Sequence, residues 1–241
     1  MRFPLLAPLL FGALLATACV ERAEVETQDI VTTIPWADSE RLEYALLDRD
    51  DLEEQIGTGV LAIERRNSRF ELHATFTGQG ATDESLVLVD DETLKPISVR
   101  RERRNDENVV VQATYDPVEK VIETVITEGG ESQRTIPRRL DEEHYYDNES
   151  SVFLWRTIAF AEGYEARYFA VLANQGGTQQ LVRLEVKAKE QITVPAGTFD
   201  CWRLEMRSSN VRQVAWYADT PEHPLVQYDN SRQVFQLTSL E

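Results

Sequence analysis

Along most of this chain apolar and polar residues alternate. The stretch "RFELHATFTG" (69–78) sets Phe70, Leu72, Ala74 and Phe76 on one side and Glu71, His73, Thr75 and Thr77 on the other, the period of a half-buried strand. Comparable runs follow in "ESLVLVD", "KPISVRRE", "NVVVQATYD", "KVIETVITEGG", "ARYFAVLAN", "QLVRLEVKAK", "DCWRLEM", "RQVAWYAD" and "RQVFQLTSL". Between them stand turn residues: Asp90-Asp91, Asn105-Asp106, Asp116-Pro117, Gly129-Gly130 and Gly176-Gly177. Roughly a dozen short strands without alternating helices predict a mainly β fold, an antiparallel meander forming an open half-barrel.

One segment breaks the alternation. In "DNESSVFLWRTIAFAEGY" (147–164) Asp147 or Asn148 can cap a helix, apolar residues recur at 152, 155, 158 and 159, and Gly163 is a stop. The spacing predicts one covering α-helix over 149–160, with Val152, Trp155, Ile158 and Ala159 turned toward the sheet. Two strands are apolar on both faces: "RYFAVLA", with Tyr168 and Phe169 on opposite sides, and "VAWYA", with Trp216 and Tyr217. Such strands need a second cover, which the helix supplies in part and a ligand cavity could complete. The eight residues Val152, Trp155, Ile158, Ala159, Tyr168, Phe169, Trp216 and Tyr217 are the candidate cavity lining.

The start of the chain reads differently. Residues 5–15 form an apolar run of eleven behind Arg2, too short for the roughly 20 residues of a membrane span, so 1–18 reads as a secretory leader. It ends in Ala16-Thr17-Ala18-Cys19, which resembles the bacterial lipobox and marks Cys19 for acylation; plain secretory cleavage after Ala18 is the alternative. Residues 19–38 are acidic and Thr-rich without a sustained period and read as a flexible tether, leaving 39–241 as a single folded domain. These signals place the protein at the extracytoplasmic face of a bacterial envelope, on a membrane through its acyl anchor. The net charge of −17 repels phosphate backbones and anionic headgroups alike, so nucleic acid is excluded as a partner and surface charge cannot be what holds the protein on a bilayer.

The most specific run lies near the end: Val194 to Phe199 ("VPAGTF"), Cys201 and Leu204, then Trp216-Tyr217-Ala218 and His223-Pro224-Leu225-Val226. Pro195 to Thr198 make a tight turn between strands, with Pro setting φ and Gly197 permitting a positive one. The whole arrangement resembles an uncharacterised family of bacterial envelope lipoproteins, with residues 150–158 matching that family's central helix. That family looks like a remote relative of the periplasmic lipoprotein-carrier and lipid-binding lipoproteins. The resemblance implies an open, strongly curved sheet around a hydrophobic cavity, and a lipid or lipoprotein ligand.

Reactive chemistry is sparse. His73, His144 and His223 stand in unrelated contexts, and no nucleophile elbow or metal-spaced His or Cys pattern occurs. His73 falls on a solvated strand face and His223 in a turn. The run "DEEHYYDNE" (141–149) lacks the order of a calcium loop and reads as a solvated acidic loop before the helix. In "SVRRERRND" Arg101 and Arg103 point one way and Arg100 and Arg104 the other; pairing with nearby carboxylates is expected, with a phosphate or headgroup contact as the sharper reading. Cys201 is expected to be buried and quiet. The sequence thus calls for no catalytic residue, metal or cofactor. It predicts a lipid-anchored protein that binds a lipid or other apolar envelope component, or alternatively an envelope scaffold whose concavity its own side chains fill.

Overall fold

The computed structural model describes residues 25–106, 108–134, 137–140 and 143–241. The leader 1–18 and Cys19 lie outside the described residues. Sixteen strands are present among those residues: β1 (Ser39–Asp48), β2 (Gln55–Arg65), β3 (Arg69–Gly78), β4 (Ala81–Asp90), β5 (Pro96–Arg104), β6 (Val109–Asp116), β7 (Val121–Glu128), β8 (Glu131–Arg134), β9 (Arg138–Arg139), β10 (Tyr145–Asp147), β11 (Glu165–Leu172), β12 (Thr178–Val194), β13 (Gly197–Ser208), β14 (Val211–Ala218), β15 (Leu225–Asp229) and β16 (Gln233–Leu240). They form one sheet in the order β10-β11-β12-β13-β14-β15-β16-β1-β2-β3-β4-β5-β6-β7-β8, with β9 also on β7. The predicted meander is therefore present, joined through its first and last strands: β1 pairs antiparallel with both β16 and β2. Only β10 runs parallel to its neighbour, β11.

Alternation explains why these segments are strands. On β3, Phe70, Leu72 and Ala74 are buried against the interior while the residues between them are half-exposed. Tight turns set the register; Val194 pairs with Gly197 across Pro195-Ala196, and Gly197 takes φ +137°, which a side chain would resist. Bulges at Glu43/Tyr44, Leu88/Val89 and Trp216/Tyr217 tighten the curl.

The sheet curls until its ends meet, yet it is not closed by a ladder. Side chains make the seam. Tyr115 of β6 stacks on Tyr145 of β10 with centroids 6.2 Å apart, and its hydroxyl donates to Asp147. A Cβ on Gly177, just before β12, would stand 2.3 Å from Ile122 of β7, so only glycine permits that approach.

The expected helix over 149–160 is shorter and more irregular. Asn148–Ser150 is a 3-10 turn, Ser151–Leu154 one α-helical turn (α1) and Trp155–Thr157 a second 3-10 turn, after which Ile158 is extended. Asp147 caps the start, accepting from Glu149 N at 2.8 Å. The segment does not lie across the sheet as a lid. It sits inside the curl with Phe153, Leu154, Trp155, Arg156 and Thr157 all buried, so it carries no solvent-facing stripe. At Ile158 the backbone turns extended, and the Thr157 carbonyl, left without an intrahelical partner, accepts from Thr32 N at 2.9 Å and from Thr32 Oγ1 at 2.5 Å.

Those donors belong to the supposed tether, and there the expectation is corrected. From Gln28, whose N–H donates to Arg167 O at 2.9 Å, the chain is strapped onto one end of the curl. Ile30 is fully buried and Trp36 nearly so, packed edge-on against Phe70 at 5.8 Å. Burying an isoleucine contributes about 1.5–3 kcal/mol, which offsets the ordering of a few residues that composition alone marks as too polar to fold. The folded unit thus begins ahead of Ser39. Arg156 anchors this end: it is 2% exposed, bonds Glu40 through both terminal nitrogens at 2.5 and 2.9 Å, donates to Glu222 O at 2.7 Å, and lies 5.3 Å from the Trp36 ring.

Candidate functional site

Strand direction separates the two ends of the curl. The β2–β3 turn lies at the strapped end, where Arg65 N donates to Asp38 O, and the β3–β4 turn lies at the other. At that other end the sheet encloses a cavity of about 550 Å³. Its mouth is rimmed by the tips of the β3–β4, β13–β14 and β15–β16 hairpins, and its floor is the helical segment. The volume falls within the roughly 300–1,000 Å³ of small-molecule sites.

The deep wall is aromatic. Trp155 meets Tyr228 at 6.1 Å, Tyr228 meets Phe235 at 5.4 Å, and Phe235 meets Phe76 at 5.2 Å, a continuous run of rings from floor toward mouth. Leu46, Ala74, Val152, Val182 and Met206 fill in around it. The polar tips of the deepest rings are tied down, Trp155 Nε1 donating to Tyr168 Oη at 2.9 Å and Tyr228 Oη to Gln213 Oε1 at 2.6 Å. Tyr228 and Phe76 keep part of their surface open, whereas Trp155 and Phe235 are buried by their neighbours.

One side of the cavity carries charge. Arg101 of β5 grips Asp83 at 2.6 Å and Glu149 at 3.1 Å, and this pairing holds its guanidinium firmly charged. Behind it Asp147 is fully enclosed; desolvation, then the neighbouring Glu149 carboxyl, push it up to about 7. Desolvation likewise raises Glu149, against the pull of Arg101. Tyr115, also buried, stays protonated and donates to Asp147 at 2.5 Å. This group can hold a proton near neutrality at the seam of the sheet. Among the described residues no group of three or more His, Cys, Asp and Glu side chains is placed to hold a metal ion.

A family described as a protein of unknown function, DUF3108, matches residues 42–231, most of the chain and all of the strands that build this cavity except the last. The chain belongs to the DUF3108 family. Curated proteins give no significant match. Among solved structures it is similar to the β-barrel-like protein of domain of unknown function DUF1849 from Brucella abortus, at 11% identity and TM-score 0.51, over 84% of this chain and 97% of that one. That likeness shows the fold, a β-barrel-like sheet. A protein of Bacteroides fragilis whose name refers to export and to a YmcC-like fold aligns at 10% identity and TM-score 0.35, over 89% of this chain and 100% of that one. No helix among the described residues is long and apolar enough to cross a membrane.

Of the eight candidate residues, Val152, Trp155 and Tyr168 line the cavity. Ile158 is buried past the end of the helical segment, and Ala159 is exposed, because the helix stops before its stripe is complete. Phe169 alternates to the other face of β11 from Tyr168, and Trp216 does so on β14, where its indole donates to Glu190 at 2.5 Å. Tyr217 is fully buried beneath the helical segment, donating to Val152 O at 2.8 Å, a support of the floor and not part of its surface.

The other sequence candidates resolve individually. Asp141 and Glu142 lie outside the described residues; Glu143 pairs with Lys120 at 3.1 Å, while Asp147 is buried and Glu149 half-buried against Arg101, so the second half of the acidic run is not a freely solvated loop. His223 is a turn residue with φ 45°, its ring 4.5 Å from Phe160, and His73 is partly exposed beside Glu71. Cys201 is buried, and desolvation pushes its thiol up to about 12. Of the β5 arginines, Arg100 and Arg104 pair with Glu102 on the outer face, and Arg101 pairs inside. Sequence reading passed over Phe76, Tyr228, Phe235 and Met206. The alternation already set Phe76 on the inner face of its strand; nothing local distinguishes an inner residue that meets a cavity from one that meets the core.

Proposed function

We propose that this chain is an extracytoplasmic protein, lipid-anchored through Cys19, that binds a lipid or other apolar envelope ligand in the cavity without transforming it. The observation that carries the reading is an open space of about 550 Å³ lined by the half-buried rings of Phe76 and Tyr228, with the buried rings of Phe235 and Trp155 in contact with them. Water in contact with such a wall is displaced favourably by an acyl chain, at about 25 cal/mol for each Å² covered.

Native mass spectrometry of the purified protein, followed by delipidation and titration with a fluorescent fatty-acid analogue, tests this. Saturable binding with a stoichiometry near one is expected, together with altered tryptophan emission. Phe76→Ala, which removes a half-buried ring near the mouth, should weaken binding about tenfold while the far-ultraviolet circular dichroism is retained. If nothing co-purifies, no saturable binding is seen and Phe76→Ala changes nothing, the packed scaffold is the better reading.

A further inference from the structure

The arginines around the cavity differ in whether they hold a carboxylate. In a chain with 25 basic and 42 acidic residues, carboxylate partners are plentiful, and most of the described arginines have one. On the outer face of β5, Arg100 and Arg104 are tied to Glu102, and Arg104 also reaches Glu84 at 2.8 Å. On the inner face Arg101 takes both carboxylates that line the cavity, Asp83 and Glu149. Two further guanidinium groups line the same space, Arg103 two residues along β5 and Arg232 in the β15–β16 turn, and neither has an ion pair or side-chain hydrogen bond among the described residues. Both are exposed. Their neighbours at the mouth include the uncharged Gln79, Gln180, Asn230 and Gln233, and Asp83, which stands opposite Arg103 on β4 and is held by Arg101.

Resting on the proposed reading of the cavity, the geometry points to a single-chain amphiphile with an anionic head as the ligand: the acyl chain in the cavity, the carboxylate or phosphate at its rim, on Arg103 or Arg232. The overall charge of −17 works against any anion, so the attraction has to be local. An arginine that already holds a carboxylate gains little from a second anion, whereas an unpaired one offers its planar fork of donors. Arg101 offsets one of the two charges of Asp83 and Glu149, so at most one net negative charge remains for Arg103 and Arg232 to outweigh. The arrangement separates the two parts of the ligand as an amphiphile separates them.

The test compares hexadecanoate, hexadecanol and inorganic phosphate as competitors of the fluorescent analogue on the delipidated full chain. Hexadecanoate is expected to bind about tenfold or more tightly than hexadecanol, the range of one charge-assisted hydrogen bond. Arg103→Gln and Arg232→Gln should each reduce that preference, and the double variant should abolish it without weakening hexadecanol. Arg100→Gln, on the outer face, should leave it intact. Raised salt should weaken hexadecanoate alone. Equal affinity for the acid and the alcohol overturns the anionic head while the apolar cavity stands. Competition by phosphate alone at comparable concentration identifies a free anion and overturns the amphiphile. Failure of all three to compete removes the cavity reading itself.

Discussion

The two ends of the curled sheet solve the problem of polar groups in opposite ways. At the strapped end Arg156 is 2% and Glu40 12% exposed, and the guanidinium is held by Glu40, the Glu222 carbonyl and the face of Trp36. At the cavity end the comparable pair, Arg49 with Asp229, is 49% and 21% exposed. The strapped end took its charge out of water and had to satisfy it with several partners at once; the open end leaves its charges where water and a ligand can reach them. The same fold therefore has a closed base and an open mouth. A binding site belongs at the second, because a ligand can replace water there without dismantling the protein.

Removing one member of each pair tests this contrast most severely. Arg156→Ala should cost about 3–5 kcal/mol, since Glu40 is left almost enclosed without a partner, with a further contribution of about 1 kcal/mol from the lost Trp36 contact. Arg49→Ala should cost below about 1 kcal/mol. Urea unfolding of the two variants reads the difference. Similar losses from both would mean that the ends do not differ as described.

Asp147, at the seam between the ends, gives the next effect, and it depends on pH. Its carboxyl is pushed up to about 7 in the folded state from an ordinary 3.8. The folded protein thus holds this proton more tightly than the unfolded chain does. The resulting stabilisation is complete below pH 3.8, is lost as pH rises toward about 7, and is absent above it. The loss is on the order of 4 kcal/mol for this one group, with Glu149 acting in the same direction. Asp147→Asn keeps a capping side chain and removes the titration. Relative to the native protein it should gain stability between pH 4 and 8, as chemical denaturation across that range would record; a constant difference would sink the buried-carboxyl account.

The smallest effect concerns the mouth wall. Tyr228→Phe removes the hydroxyl that bonds Gln213 at 2.6 Å and leaves the rings in contact. It should cost about 0.5–1.5 kcal/mol and leave binding of the fatty-acid analogue within about twofold. A large affinity loss would make that hydroxyl a ligand contact and sharpen the picture of a polar mouth.

Sequence and structure agree most closely where the interactions are local. The alternation of β3, the Pro195-Ala196 turn and the Asp147 cap can all be read within a few residues, and each is present. The helical segment fails that criterion. Its apolar spacing at 152, 155, 158 and 159 fits a longer helix, but the backbone turns extended at Ile158, and the freed Thr157 carbonyl bonds Thr32, more than a hundred residues away. The tether fails for the reciprocal reason, since Ile30 and Trp36 find their apolar partners only on distant strands and the helical segment. Arg156, the anchor of the base, sits between Trp155 and Thr157 in a run where its charge predicts a solvent-facing position.

The sequence by itself determined that this chain is an antiparallel β protein, where most of its strands turn, and which side of each strand is apolar, because period and turn chemistry act over two to five residues. It could not determine that the sheet would curl until β6 met β10, nor which inner residues would face one another and which would face empty space. Those outcomes depend on accumulated twist, on bulges, and on a seam made by Tyr115, Tyr145 and Asp147. Packing density decides where a void remains, and density is a property of many residues brought together from across the chain.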